Sequence, residues 1–151
     1  MTPPVPPFVP ETLRAMELDL PEPRLAQLGT YLDLLLAANE RVNLTAVRDR
    51  DAAWHRLILD SLTLVPGLEG LPDGAGVIDV GTGGGLPGIP LAIARPELRY
   101  TLLDATGKKV RLVQEFIAAL GLSHVEAVQE RAEAAGQDKR HRQRYDAAVS
   151  R

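Results

Sequence analysis

The chain has 151 residues, 45% of them hydrophobic and 25% charged, with a net charge of −3 at pH 7 and no cysteine. That length and balance fit one globular domain with a real core, and the lack of cysteine excludes disulfide scaffolds, thiol nucleophiles, zinc ribbons and iron–sulfur clusters. No apolar run approaches a bilayer span, and the small negative charge requires any nucleic-acid partner to be met by a local basic patch.

Residues 1–10 hold five of the twelve prolines and read as a proline-rich tail or a packed extended arm. They lack the basic-then-apolar pattern of a signal peptide, so the chain reads as cytoplasmic. Residues 11–66 read as an N-terminal helical region. Leu25, Leu28, Leu32, Leu35 and Leu36 recur at spacings of three and four, one face of a helix opened by Pro21 and Pro23. A second helix is predicted from Asp49, its N-cap, to Val65, stopped by Pro66. Its Trp54, Ile58, Leu62 and Val65 face inward, while His55, Arg56 and Asp60 face out.

The composition then shifts, with nine of the thirteen glycines between Gly67 and Gly88. Short apolar strands are predicted at Val77–Val80, Tyr100–Leu103, Val125–Val128 and Tyr145–Val149. Between them lie helices at Pro87–Arg95 and Lys108–Leu120, the second stopped by Gly121. This alternation is that of an α/β fold with a parallel sheet. Because the chain stops just after a strand expected to be buried, residues 67–151 read as the N-terminal half of such a domain, its second half absent.

The segment Val77-Ile78-Asp79-Val80-Gly81-Thr82-Gly83-Gly84-Gly85-Leu86-Pro87-Gly88 is the most informative. Glycines allow a tight strand-to-helix turn and close approach to a ligand, so a ligand loop is favoured over an inert linker. Two frames compete. Gly83, Gly85 and Gly88 fit the dinucleotide fingerprint G-x-G-x-x-G. Asp79, Gly81, Gly83 and Gly85 resemble instead the first motif of class I S-adenosylmethionine-dependent methyltransferases. A carboxylate beside a pyrophosphate is unfavourable, whereas beside an ammonium and a sulfonium it is favourable, so charge selects S-adenosylmethionine. Asp104, about twenty residues on, suits two ribose hydroxyls in either frame.

Chemistry narrows the acceptor. Counting from Asp146, the asparagine or aspartate that accepts from an exocyclic amine would fall at position 151, where this chain has Arg151, a donor only. Cytosine C5 methylation needs a cysteine nucleophile, and there is none. Asn43-Leu44-Thr45, His55 to Leu62, Asp79 to Ile93, Leu103-Asp104, Arg131-Ala132-Glu133 and Ser150-Arg151 then occur in one order that resembles the glucose-inhibited division protein B family, the small-subunit ribosomal RNA guanine-N7 methyltransferases. The similarity runs from about residue 25 to the end.

The resemblance implies a class I, Rossmann-like methyltransferase sheet preceded by a small helical layer. It implies S-adenosyl-L-methionine as cofactor, held by Gly81, Leu86, Asp104, Ala105, Thr106, Ala132, Glu133 and Arg151, beside Asp79, Gly83 and Gly85 of the loop. Leu86 stands where the family commonly has phenylalanine. The implied substrate is N7 of a guanine in 16S ribosomal RNA or the small subunit, with the protein a monomer. Guanine N7 carries a lone pair and no proton, so no general base is expected. His55, Arg56, Lys139, Arg140, Arg142 and Arg144 are the candidate RNA contacts, and Asp60 is expected to cap or pair within the helical layer. No histidine spacing suggests a metal. A nicotinamide-dependent oxidoreductase and a non-catalytic cofactor- or RNA-binding module stay as alternatives.

Overall fold

In the computed structural model, which describes residues 3–151, helix begins inside the proline-rich segment. Met1 and Thr2 of that segment lie outside the described residues. Helix α1 (Phe8–Ala15) takes Pro10 in its first turn, where a missing N–H costs nothing. It buries Val9 and Leu13, and Val5 packs on the same core, so the described part of the segment is a packed arm and not a tail.

Helix α2 (Glu22–Ala38) starts with Pro23 in its first turn and buries Leu28, Leu32 and Leu35, with Leu25 and Leu36 at the edge of the stripe. Tyr31 and Gly29 are buried on it as well. Asn39, the residue after it, is 4% exposed. Its Oδ1 accepts from the N–H groups of Leu44 (2.7 Å) and Thr45 (2.9 Å), and its Nδ2 donates to the Thr45 carbonyl (2.9 Å). One amide therefore folds the loop 40–45 back over the end of α2.

The helix predicted over Asp49–Val65 is not continuous. Asp49 caps α3 (Arg50–Ala53) as expected, its carboxylate accepting from the Ala52 N–H at 2.9 Å. A π-helical turn, Trp54–Leu59, follows, then α4 (Asp60–Leu62) and a 3-10 turn, Val65–Leu68, that contains Pro66. Leu57, Ile58 and Leu59 are all buried within this wider turn. The predicted facing survives: Trp54, Ile58, Leu62 and Val65 are buried, and His55, Arg56 and Asp60 are exposed.

Four parallel strands, β1 (Gly76–Val80), β2 (Arg99–Asp104), β3 (Val125–Gln129) and β4 (Ala147–Val149), stand in the order β3-β2-β1-β4. Helices α5 (Gly88–Ala94) and α6 (Gly107–Leu120) connect the first three, and Gly121 ends α6 at φ +67°. A short helix, α7 (Ala132–Ala135), follows β3 where the sequence reading had none. One face of the sheet, with Val77, Tyr100 and Leu102, packs on α5 and α6, which in turn pack on α2 in the main core. Among the described residues, the other face, with Ile78 and Leu103, forms a small separate cluster with Ala135 and the half-buried Val80, Val128 and Tyr145.

Strand β4 is shorter than predicted and half-exposed, not buried, because it pairs with β1 alone. Tyr145 and Asp146 precede its ladder. The Asp146 carboxylate accepts from Gly76 N–H at 2.8 Å, and the Asp146 N–H donates to Gly76 O at 2.7 Å. Among the described residues no helix is long and apolar enough to cross a membrane. The parallel arrangement brings the C-terminal ends of all four strands, and with them the glycine loop, Asp104, Glu130 and Arg151, to one edge.

Candidate functional site

Gly81, Gly83 and Gly85 have φ of +75°, +59° and +102°, a backbone only glycine adopts freely. The loop they form turns its N–H groups inward. Gly81 and Thr82 donate to Leu103 O (2.9 and 2.8 Å), Gly85 and Leu86 to Thr82 O (2.9 and 3.0 Å), and Ile89 to Gly85 O (2.7 Å). Gly83 N–H donates to Asp104 Oδ2 at 2.9 Å and Gly88 N–H to Asp79 Oδ2 at 2.8 Å.

Asp79 is therefore a loop residue's anchor beneath the turn. It is 1% exposed, and its Oδ2 also accepts from Thr82 Oγ1 at 2.7 Å, while Oδ1 has no partner. Burial, against the opposing Thr82 and Gly88 hydrogen bonds, pushes its carboxyl up to about 7, with Asp104 adding to the rise. Asp79, expected from the sequence as an ionised group beside the ligand, lies buried beneath the loop.

Beside the loop, Val80, Gly81, Leu103, Asp104, Ala105, Glu130, Arg131, Ala132 and Glu133 line a cleft of about 280 Å³. Five predicted contacts meet there: Gly81, Asp104, Ala105, Ala132 and Glu133. Thr106, a sixth, donates its N–H to Asp104 Oδ1 at 2.9 Å and so orients the acid. A Cβ on Gly81 or Gly83 would meet nothing within 4 Å, so the loop leaves space on its ligand side. Three carboxylates against one guanidinium make the cleft anionic.

Leu86 and Arg151 are elsewhere. They line a separate groove of about 500 Å³ with Thr45, Val47, His55, Arg56 and Asp60. Arg151 Nε lies 3.2 Å from Asp60 Oδ2, and its terminal N–H donates to Arg56 O at 2.7 Å. Asp60 therefore pairs, not within the helical layer as expected but with Arg151 beyond β4, a residue expected at the cofactor. Both side chains of the pair are well exposed, so Asp60→Ala is expected to change stability by less than about 1 kcal/mol, read from thermal melts. His55 stacks on Phe8 with ring centroids 4.2 Å apart.

The basic run is not brought to this edge. Arg140 and Arg144 line a hollow with Gly76, Arg99 and Val125, the residues that begin β1, β2 and β3. That is the opposite end of strands some 16 Å long. Arg140 is also held by Asp138 at 2.6 Å, and Arg144 Nε donates to Lys139 O. Glu130 and Arg131, which line the cleft, were not singled out as contacts in the sequence; they lie directly after β3, the position that signals them.

Residues 24–151 match the family described as GidB, rRNA small subunit methyltransferase G. A curated Ribosomal RNA small subunit methyltransferase G from Sorangium cellulosum is 50% identical over 126 residues, 83% of this chain and 53% of that protein. One from Moorella thermoacetica is 46% identical over 128 residues, covering 85% and 53%. One from Desulforamulus reducens is 40% identical over 141 residues, covering 93% and 58%. The chain spans about half the length of the curated relatives it matches. Among solved structures, a mutant of MtNAS in complex with S-adenosylmethionine superposes with a TM-score of 0.54 at 15% identity, covering 84% of this chain and 49% of that one. A SAM-dependent methyltransferase from Agrobacterium tumefaciens gives 0.50 at 20%, covering 62% and 30%. At these identities the likeness speaks for the fold alone, the class I, Rossmann-like methyltransferase fold.

Proposed function

The chain belongs to the GidB family of small-subunit ribosomal RNA methyltransferases, and from that premise we propose that it binds S-adenosylmethionine in the glycine-loop cleft. The reaction is methylation of N7 of a guanine in 16S ribosomal RNA, free or within the small subunit, by a monomer. The observation that carries the cofactor reading is the inward turn of the loop. Seven of its N–H groups are already bonded to protein oxygens, so a pyrophosphate would find few donors and three facing carboxylates. A dinucleotide is disfavoured on both counts, whereas a ligand carrying a sulfonium and an ammonium is attracted.

The residues present fit that ligand. Asp104, held in place by two N–H groups, keeps further lone pairs for ribose hydroxyls. Gly81 and Gly83 leave the loop surface bare, and Ala105, Ala132 and Glu133 close the adenosine side. Leu86 and Arg151 lie on the other side of the loop and would meet the methionine end. The bound cofactor supplies a methyl group on a sulfonium. What the chain would supply is position, holding the methyl donor and the ring nitrogen in line. No side chain has to remove a proton, which agrees with His55 being stacked on Phe8 and exposed instead of aimed into the cleft.

The RNA face proposed is the groove edge with His55 and Arg56. N7 is inaccessible in the deep, narrow major groove of an RNA helix, so the base arrives unpaired or extruded. Arg56→Gln is expected to weaken RNA binding and to flatten its salt dependence by about one unit of slope, with cofactor affinity unmoved. Filter binding across a salt series reads this. Lys139, Arg140, Arg142 and Arg144 are left for RNA phosphates remote from the reacting base.

Isothermal titration with S-adenosylmethionine and with NAD, followed by transfer of labelled methyl into deproteinised 16S RNA and into small subunits, tests the function. Binding of NAD alone points to the oxidoreductase. Cofactor binding without transfer to either substrate leaves the non-catalytic module.

A further inference from the structure

Side chains from the N-terminal helical region reach the glycine loop, and one of them bonds to it. Tyr31, in the middle of α2, is 0% exposed, and its hydroxyl donates to Gly84 O at 2.9 Å across 53 residues of sequence. Around it, the fit of α2 to the loop is close. A Cβ on Gly84 would lie 2.7 Å from Leu35 Cδ1 and 3.4 Å from Leu44 Cβ, and one on Gly85 would lie 3.3 Å from the Tyr31 hydroxyl oxygen. Leu44 belongs to the loop that Asn39 folds back over the end of the same helix. Asp79 and Asp104 grip the loop at Thr82, Gly88 and Gly83; Gly84, between those points, is gripped by α2.

We propose that Tyr31 is a positioning residue for cofactor binding: its hydrogen bond to Gly84 and the packing of Leu35 lock the glycine loop in the shape that leaves its outer surface bare for the ligand. This rests on the assignment of the cleft to S-adenosylmethionine. A fully buried hydroxyl has strong reason to keep its acceptor, since losing the bond leaves a buried carbonyl unpaired. The loop's open side at Gly81 and Gly83 is thereby set from behind, by a helix that touches no ligand. The N-terminal helical layer becomes part of the cofactor site through one bond and one packing contact.

The test uses the natural protein and three variants. Tyr31→Phe keeps the ring and deletes only the hydroxyl. It is expected to raise the dissociation constant for S-adenosylmethionine five- to tenfold and the KM for the cofactor in step, while KM for RNA and kcat at saturating cofactor stay within twofold. Gly84→Ala, at a backbone conformation open to any residue, pushes the loop off α2 and should weaken binding similarly. Adding Leu35→Ala to Gly84→Ala removes the clash and should restore part of the affinity. Unchanged cofactor affinity in Tyr31→Phe, with or without a lower melting temperature, makes Tyr31 a core residue only and overturns the proposal, as does an absence of rescue in the double variant. If the unsubstituted protein binds no S-adenosylmethionine, it is the functional reading that fails.

Discussion

Gly88→Val is expected to cost the protein about 2–6 kcal/mol of stability, and Gly83→Val to leave it folded but unable to bind cofactor. A Cβ at Gly88 would stand 2.2 Å from Leu102 Cδ2 and 2.8 Å from Asp79 Oδ2. Leu102 is 0% exposed in the central part of the sheet, so it has nowhere to retreat. Overpacking of this kind costs about 1–3 kcal/mol, and displacing Asp79 from the Gly88 N–H leaves a buried donor unpaired for a similar sum, against a total of roughly 5–15 kcal/mol. A Cβ at Gly83 meets nothing within 4 Å; its penalty is the positive φ of +59°, about 1–2 kcal/mol. What it fills is the space next to the cleft. Circular dichroism melts and calorimetric titration separate the two outcomes. A Gly88→Val protein melting with the parent, or a Gly83→Val protein binding S-adenosylmethionine normally, contradicts the packing or the ligand assignment respectively.

Replacement of Asp79 by asparagine is expected to flatten the pH dependence of stability. Burial pushes the Asp79 carboxyl from 3.8 up to about 7 in the folded protein. Between those values the folded state holds a proton that the unfolded chain has released, so stability falls as pH rises from about 4 to about 7 and is level above. At about 1.36 kcal/mol per unit, the span is on the order of 4 kcal/mol. Asparagine keeps an oxygen to accept from Thr82 Oγ1 and Gly88 N–H and never ionises. The variant should match or exceed the parent at pH 8, less the cost of a buried NH₂ in place of the unpartnered Oδ1, and the gap should close toward pH 4. Asp79→Ala removes both acceptors and should destabilise at every pH. Denaturant titrations from pH 4 to 8 measure this; parallel curves for parent and Asp79→Asn would show that the carboxyl ionises alike in both states.

The periodicities carried most of the fold into view. Strand positions followed from short apolar runs, and α2 and α6 from their leucine and valine spacing, because burial on one face writes itself into sequence at a fixed period. The π-helical turn at Trp54–Leu59 did not show, since three successive apolar residues are compatible with any helix whose register bends. The loop and Asp104 were legible as a ligand site because glycine and acid at those spacings answer to backbone geometry. The division of the remaining contacts between two pockets, with Ala132 and Glu133 in one and Leu86 and Arg151 in the other, was not, for it depends on which strand each residue follows. Nor was Tyr31: an aromatic within an apolar helical stripe looks like core, and only the placed hydroxyl tells otherwise. The inward burial of Asp79 escaped for the same reason.

The pairing of β4 with β1 bears on how the chain reaches its structure. Gly76 lies 70 residues from Asp146, whereas β1 and β2 are joined between Gly76 and Arg99, 23 positions apart. Closing the longer loop costs about 1 kcal/mol more in chain entropy, and the reward is a three-residue ladder in place of a five-residue one. β4 is thus expected to dock late, after β1, β2 and β3 have assembled with α5 and α6. Its ladder amides are expected to exchange with solvent before those of β1 and β2, and Arg151, directly beyond it, pairs with Asp60 only while β4 is docked.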